Sequence, residues 1–172
     1  LNVSIGSTKS KSESSSTTVV ANGSNVKAEG DVKITSTEKD INIKGSNVEG
    51  KDVTLDAKEN LNITASETTN KLEQDSKSSS ASVGVGFDIA TGQVSSVTIS
   101  GSKSKGEVDA NSTSYNESTV KADKNLDFTS GKDTNIKGGK LSGEKVTGNV
   151  GGDLNIESKQ DKNSYEEKNS SA

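Results

Sequence analysis

The sequence predicts an all-β chain wound as a parallel β-helix and interrupted by a long β-hairpin. Three observations carry that prediction: an internal repeat, a five-residue cassette of strand periodicity inside each copy, and an apolar content too low for a thicker core. Leu, Ile, Val and Phe together make up about a fifth of the 172 residues, with 2% aromatics and no Pro, Cys, Met, Trp or His. That content stands near the boundary below which charged chains stay unfolded. A compact single-core domain of this length needs far more apolar side chain, so a folded chain must use a thin core and many hydrogen bonds.

The repeat is read directly from the residues. Val26-Lys27-Ala28-Glu29 returns as Val120-Lys121-Ala122-Asp123, and Lys39-Asp40-Ile41-Asn42-Ile43-Lys44-Gly45 returns as Lys132-Asp133-Thr134-Asn135-Ile136-Lys137-Gly138. From Val26 to Ser66, about 17 of some 40 aligned positions are identical, and Val3, Ile5, Lys9 and Lys11 match Val97, Ile99, Lys103 and Lys105 at the same offset of about 94 residues. Repeats of this kind signal stacked architectures, in which each unit buries its apolar face only against its neighbours.

Within each copy the cassette has an Asp or Asn followed by apolar, any residue, apolar. It reads Gly30-Asp31-Val32-Lys33-Ile34, Lys39-Asp40-Ile41-Asn42-Ile43, Lys51-Asp52-Val53-Thr54-Leu55 and Glu59-Asn60-Leu61-Asn62-Ile63 in the first copy. In the second it reads Lys124-Asn125-Leu126-Asp127-Phe128, Lys132 to Ile136, a degraded Glu144-Lys145-Val146-Thr147-Gly148, and Gly152-Asp153-Leu154-Asn155-Ile156. The period of two marks each cassette as a short strand with one apolar face. A third strand fills the longer gap, at Gly45-Ser46-Asn47-Val48 and Gly138-Gly139-Lys140-Leu141. Three strands then make a turn of about 20 residues. Gly, Asp and Asn at the corners suit sharp bends, and stacked turns place like residues above one another at about 4.8 Å.

Between the two blocks, Ala81, Val83, Val85, Phe87 and Ile89 alternate with small or polar residues. The alternation resumes at Val97 and Ile99 after Ala90-Thr91-Gly92-Gln93, which reads as a hairpin with a four-residue turn. Its flanks are Ser-rich, so it is either a projecting hairpin or a flexible excursion, and Lys71-Leu72-Glu73-Gln74 is the one helix-like stretch. The expected organisation is a single repeat-array segment over 1–172: a partial hairpin arm and linker at 1–25, a first β-helix block at 26–67, Ser-rich flanks and hairpin at 68–119, a second block at 120–157, and the start of another excursion at 158–172. Any disorder is expected only in the Ser-rich stretches near 7–18, 74–82, 100–118 and 158–172. With no charged n-region before an apolar stretch at Leu1, the chain reads as an excised piece of something longer.

Composition also excludes function classes. Net charge is −4, with Lys interspersed among Asp and Glu and no basic block, so no nucleic-acid footprint is present. Without Cys there is no disulfide or thiol chemistry. All 21 basic residues are lysines, and without His or Arg the chain has no base titrating near neutral pH and no guanidinium fork for a sugar acid. Asp31, Asp40, Asp52, Asp133 and Asp153 share one cassette position, so the repeat accounts for them without catalysis. A polysaccharide-processing β-helix enzyme is therefore the disfavoured alternative. No calcium-binding nonapeptide pattern and no phosphate loop occur, so no cofactor or metal is expected. Asn42, Asn62, Asn135 and Asn155 lie between inward apolar residues, point outward, and are expected to form a structural ladder of stacked amides. Val83, Val85, Phe87 and Ile89 are the candidate partner-contact residues, and Phe128 is read as packing at a core position.

These residues resemble the haemagglutinin repeats of filamentous-haemagglutinin-like exoproteins exported by two-partner secretion, which include contact-dependent growth inhibition effectors. Ser82-Val83-Gly84-Val85-Gly86-Phe87, Ser102-Lys103-Ser104-Lys105-Gly106, Leu141-Ser142-Gly143-Glu144-Lys145-Val146 and the run Gly151-Gly152-Asp153-Leu154-Asn155-Ile156-Glu157-Ser158-Lys159-Gln160-Asp161 carry the resemblance. The first copy departs from it, with Ala57-Lys58-Glu59-Asn60 where the second has Val150-Gly151-Gly152-Asp153. The resemblance implies a right-handed helix and a cell-surface or secreted location in a Gram-negative bacterium. It implies an outer-membrane transporter as the export partner, and a shaft or interaction role in adhesion or in toxin delivery to a neighbouring cell surface or outer membrane. A hairpin that serves as an outer-membrane receptor-binding module is the other reading.

Overall fold

The computed structural model describes all 172 residues, and every regular element is a strand. In chain order they are β1 (Asn2–Val19), β2 (Asn25–Lys27), β3 (Val32–Ser36), β4 (Ile41–Lys44), β5 (Asn47–Gly50), β6 (Val53–Ala57), β7 (Leu61–Thr64) and β8 (Ser66–Phe87). They continue as β9 (Val94–Asn116), β10 (Ser118–Ala122), β11 (Asn125–Ser130), β12 (Thr134–Lys137), β13 (Gly139–Ser142), β14 (Lys145–Val150), β15 (Leu154–Glu157) and β16 (Lys162–Ser171). The chain divides into two compact units, one of Thr18–Thr69 with Ser112–Lys162, the other of Leu1–Thr17, Asn70–Asn111 and Asn163–Ala172.

The first of these units is a parallel β-helix. Its three sheets run β13-β10-β5-β2, β14-β11-β6-β3 and β15-β12-β7-β4, so each sheet takes one strand from each of four successive turns. Each cassette of the sequence is one of these strands, and the strands read into the longer gaps are β5 and β13. Register is strict: Val32 pairs with Val53, Val53 with Leu126, and Leu126 with Val146. Ile43, Ile63, Ile136 and Ile156 stack in the same way. Because side chains alternate along a strand, this register lines the interior with a column of like residues. Val53, Leu55, Leu61, Ile63, Val120 and Leu126 are wholly buried there.

Turns two and three are separated by β8 and β9, yet they stack as the others do. Asn62 and Asn135 pair although 73 residues apart, where Asn42 and Asn62 are 20 apart. The serines at equivalent corners receive the chain similarly. Ser46 Oγ donates to the Lys44 carbonyl at 2.8 Å, and Ser118 Oγ to that of Thr64 at 2.6 Å. Gly45 and Gly138 take positive φ, 55° and 65°, at the matching corners, and a Cβ on Gly45 would fall 2.1 Å from Ser66 Oγ.

Two irregularities in the core are compensated locally. Thr134 stands where the adjacent turn has Leu61, and its hydroxyl is satisfied by Ser130 Oγ at 2.8 Å, both groups being buried. Phe128 rests on Leu55 on one side and is opposed on the other by Gly148. A Cβ at Gly148 would come within 2.2 Å of Phe128 Cζ, so the degraded cassette makes the room that the aromatic ring fills.

The second unit is the sheet β1-β8-β9-β16. Ser78 and Ser80 of β8 meet Ser104 and Ser102 of β9, each pair at 2.7 Å, so numbers fall on one strand as they rise on the other: the pair is antiparallel. The Ser-rich stretches are thus strand, not flexible excursion, and the helix-like Lys71-Leu72-Glu73-Gln74 lies within β8. The connection is also longer than four residues. Strand pairing ends at Phe87 because the Asp88 carboxylate accepts the Ala90 amide at 2.8 Å, turning the chain there, and the Gln93 carbonyl accepts the Asp88 amide at 2.9 Å to close the loop. Ile89 accordingly lies in the turn and not on the strand face.

Gly148→Val is expected to lower the thermal midpoint by several degrees through overpacking, and the double variant with Phe128→Leu is expected to recover most of the loss. Thermal melts of the three proteins check this, and equal damage in the single and double variants would refute the size complementarity.

Candidate interaction surface

In the β-helical unit the outward residues form ladders. Asn62 Nδ2 donates to Asn42 Oδ1 at 2.8 Å, Asn135 Nδ2 to Asn62 Oδ1 at 2.8 Å, and Asn155 Nδ2 to Asn135 Oδ1 at 3.0 Å. The four asparagines singled out in the sequence are brought into one continuous chain of amide bonds. Each amide donates in one direction and accepts from the other, so the chain is self-consistent.

A second ladder runs along the corner carboxylates and was not anticipated as a connected feature. Asp40 Oδ1 accepts both the Asn60 amide at 2.8 Å and Asn60 Nδ2 at 3.0 Å; Asn60 Oδ1 accepts the Asp133 amide at 3.1 Å; Asp133 Oδ1 accepts the Asp153 amide at 2.9 Å. At the neighbouring corner Asp52 Oδ1 accepts the Asn125 amide at 3.0 Å and its Nδ2 at 2.9 Å. Those two bonds from Asn125, the backbone one first, hold the Asp52 carboxyl below its ordinary value. The signal for this ladder was the shared Asp or Asn position itself, which needs an acceptor whose side chain reaches the backbone one turn away. Asp40, Asp52 and Asp133 are therefore engaged in turn-to-turn bonding.

Charge follows the same rule. Glu49 is held between Lys27 at 3.0 Å and Lys121 at 3.2 Å, from the turns before and after it, and the two lysines lower its carboxyl pKa. Lys132 meets Glu59 at 3.0 Å. All three pairs are solvated, so their contribution is small and screened by salt.

In the sheet unit, the candidate contact residues divide by position. Val83, Val85 and Phe87 share one face of β8, with Val83 and Phe87 exposed and Val85 half-buried; Ile89 stands 83% exposed in the turn. The register carries further apolar residues to the same face. Leu1 accepts the Phe87 amide through its carbonyl at 2.7 Å, and Ser4 and Thr98 flank Gly84. Val3 and Val97 therefore lie in one row with Val85, and Ile5 and Ile99 in one row with Val83. Ile5 and Ile99 are 77% and 79% exposed. The alternation along β1 and β9 signalled these residues, but only the pairing shows that they join Val83 and Val85 in one strip.

Asn62 bonds to both neighbours and Asn155 to one. Asn62→Ala is therefore expected to cost about 1–2 kcal/mol of unfolding free energy, and Asn155→Ala roughly half as much. Chemical denaturation measures both, and an equal or reversed ranking would contradict the ladder's energetic role.

A hemagglutinin-repeat sequence profile matches residues 3–172. Among curated proteins, the chain is 32% identical to a deoxyribonuclease CdiA of Dickeya dadantii over 99% of its length, and 34% identical to a toxin CdiA of Escherichia coli over 96%. It is 38% identical to a 16S rRNA endonuclease CdiA of Enterobacter cloacae over 99%. The chain spans only 5% or 6% of the length of these relatives. No solved structure matches it. With its cassettes, its stacked turns and a profile match over nearly its whole length, the chain belongs to the hemagglutinin-repeat family.

Proposed function

We propose that this chain is a non-enzymatic structural and interaction segment of a secreted, cell-surface exoprotein of a Gram-negative bacterium. It serves contact-dependent delivery of a toxin to neighbouring cells, or adhesion to them. The observation that carries this reading is the match over nearly the full chain to proteins named as CdiA toxins and nucleases, of which it covers only a twentieth or so. The nuclease activities in those names belong to the relatives. In this chain the corner acids Asp40, Asp52 and Asp133 bond to backbone of the next turn, and neither His nor Arg is present. That supports a mechanical role over hydrolysis or elimination on acidic glycans.

The mechanism is geometric. Each turn of the β-helical unit adds about 4.8 Å of length and is held to the next by backbone, amide and carboxylate ladders, which gives reach and stiffness. The sheet unit supplies contact surface through Val83, Val85, Phe87 and Ile89, and the exposure of Val83, Phe87 and Ile89 favours a hairpin that touches a partner. Export through an outer-membrane transporter of the two-partner type suits a chain without disulfides that folds as stacking proceeds turn by turn.

Fluorescently labelled protein is expected to bind intact Gram-negative cells. The triple variant Val83→Ser, Val85→Ser, Phe87→Ser is expected to lose at least about tenfold of that binding while keeping its β-type circular dichroism spectrum. Undiminished binding by the folded variant would exclude the hairpin as the contact, and absence of binding by the parent chain would remove the interaction role.

A further inference from the structure

The face of the sheet unit that carries the apolar strip is zoned along its strands. The paired backbones of Leu1 and Phe87, the Ser78–Ser104 and Ser80–Ser102 contacts, and the paired backbones of Lys103 and Ala172 fix the register of the four strands. Odd-numbered residues of β1, β8 and β9 therefore share this face. From the hairpin end it begins with Phe87, Val85, Val83 and their cross-strand neighbours. It continues through the small residues Ser7, Ala81 and Gly101, and then reaches a belt of lysines: Lys9, Lys11, Lys77, Lys103 and Lys105. These five line one groove of about 640 Å³. In the next row beyond the belt stand the acids Glu13, Asp75 and Glu107, with one lysine, Lys168 of β16, beside Glu107. The opposite face is built largely of Ser, Thr and Gly.

The lysines are not used up internally. Lys11 is paired with Glu13 at 2.5 Å, and Lys105 with Glu107, which raises both lysine pKa values through those bonds. Lys9, Lys77 and Lys103 form no ion pair, and all three are exposed. Like charges gathered on adjacent strands repel and destabilise the sheet, so this cluster has a cost that an external anion relieves.

We propose that this face docks on a lipid surface bearing anionic phosphate headgroups, the apolar strip entering the acyl boundary and the lysine belt meeting the phosphates. Spacing supports the occupant. Lys9 lies four residues from Ile5, about 13 Å at strand rise. A lysine stem extended toward the lipid spans much of the headgroup layer between the two zones. The acids beyond the belt are repelled by the same surface, so the sheet meets it with its hairpin end. The proposal deepens the contact role above and rests on that reading for its biological setting, but not for its chemistry.

The test is sedimentation of the full chain with vesicles of phosphatidylcholine alone or with added phosphatidylglycerol, at low and high salt. Binding is expected only with phosphatidylglycerol, weakened at high salt. The variant Lys9→Gln, Lys77→Gln, Lys103→Gln is expected to bind at least about tenfold more weakly, and the Lys→Arg version at the same sites to bind as the parent does. Equal binding to both vesicle types, no binding to either, or an unimpaired Gln variant overturns the proposal. Complete inhibition by millimolar inorganic phosphate at constant ionic strength also overturns it, because it marks a discrete phosphate pocket. Cell binding without vesicle binding sinks this proposal and leaves the contact role standing; vesicle binding without cell binding does the reverse.

Discussion

In-register stacking of one turn on the next is the constraint on which the β-helical unit depends. A turn of about 20 residues holds too few apolar side chains to bury itself, so its stability comes from neighbours above and below. Once Ile63 sits on Ile43 and under Ile136, everything else in that column is placed. The Asn62 amide meets those of Asn42 and Asn135, the Asn60 side chain reaches the Asp133 backbone, and Glu49 falls between two lysines. A slip of one residue would turn the apolar set outward and break all of these together.

The same constraint explains tolerance. Because closure costs grow slowly with loop length, a departure between Thr64 and Ser118 is compatible with full register on both sides, provided the corner is rebuilt, as Ser118 does on the Thr64 carbonyl. Each repeat then contributes two turns to one unit and two strands to the other. In the sheet, β1 corresponds in sequence to β9, and β16 follows β15 as β8 follows β7, so the two strand types alternate across the order β1-β8-β9-β16. Zoning repeats for this reason: Lys9 and Lys11 occupy the places of Lys103 and Lys105 one repeat on.

Much of this was legible in the residues. A period of two within a period of about 20 permits few solutions, and the cassettes mark β3, β4, β6, β7, β11, β12, β14 and β15 before any coordinates. The Ser-rich strands were harder, because Ser carries no apolar signal and their order comes from cross-strand pairing that a local reading cannot see. Ile89 follows the strand alternation, yet Asp88 turns the chain one residue earlier with its own carboxylate. Gly148 looks like decay until it is set against Phe128, a contact set by the stacking and invisible along the chain. Among the surface features, the asparagine ladder shows as a recurrence. The lysine belt does not, since its five members come from three strands.

Register across the long departure tests the account most directly. The chain has no cysteine, so the pair Thr54→Cys with Asp127→Cys, which lie opposite one another on the outer side of β6 and β11, forms a clean probe. Stacking at strand spacing puts their Cα atoms about 5 Å apart, within disulfide range, whereas Thr54→Cys with Thr129→Cys is offset by two residues and falls at or beyond about 7 Å. In-register stacking predicts rapid intramolecular oxidation of the first pair and little of the second. Equal oxidation of both, or preference for the offset pair, would contradict in-register stacking.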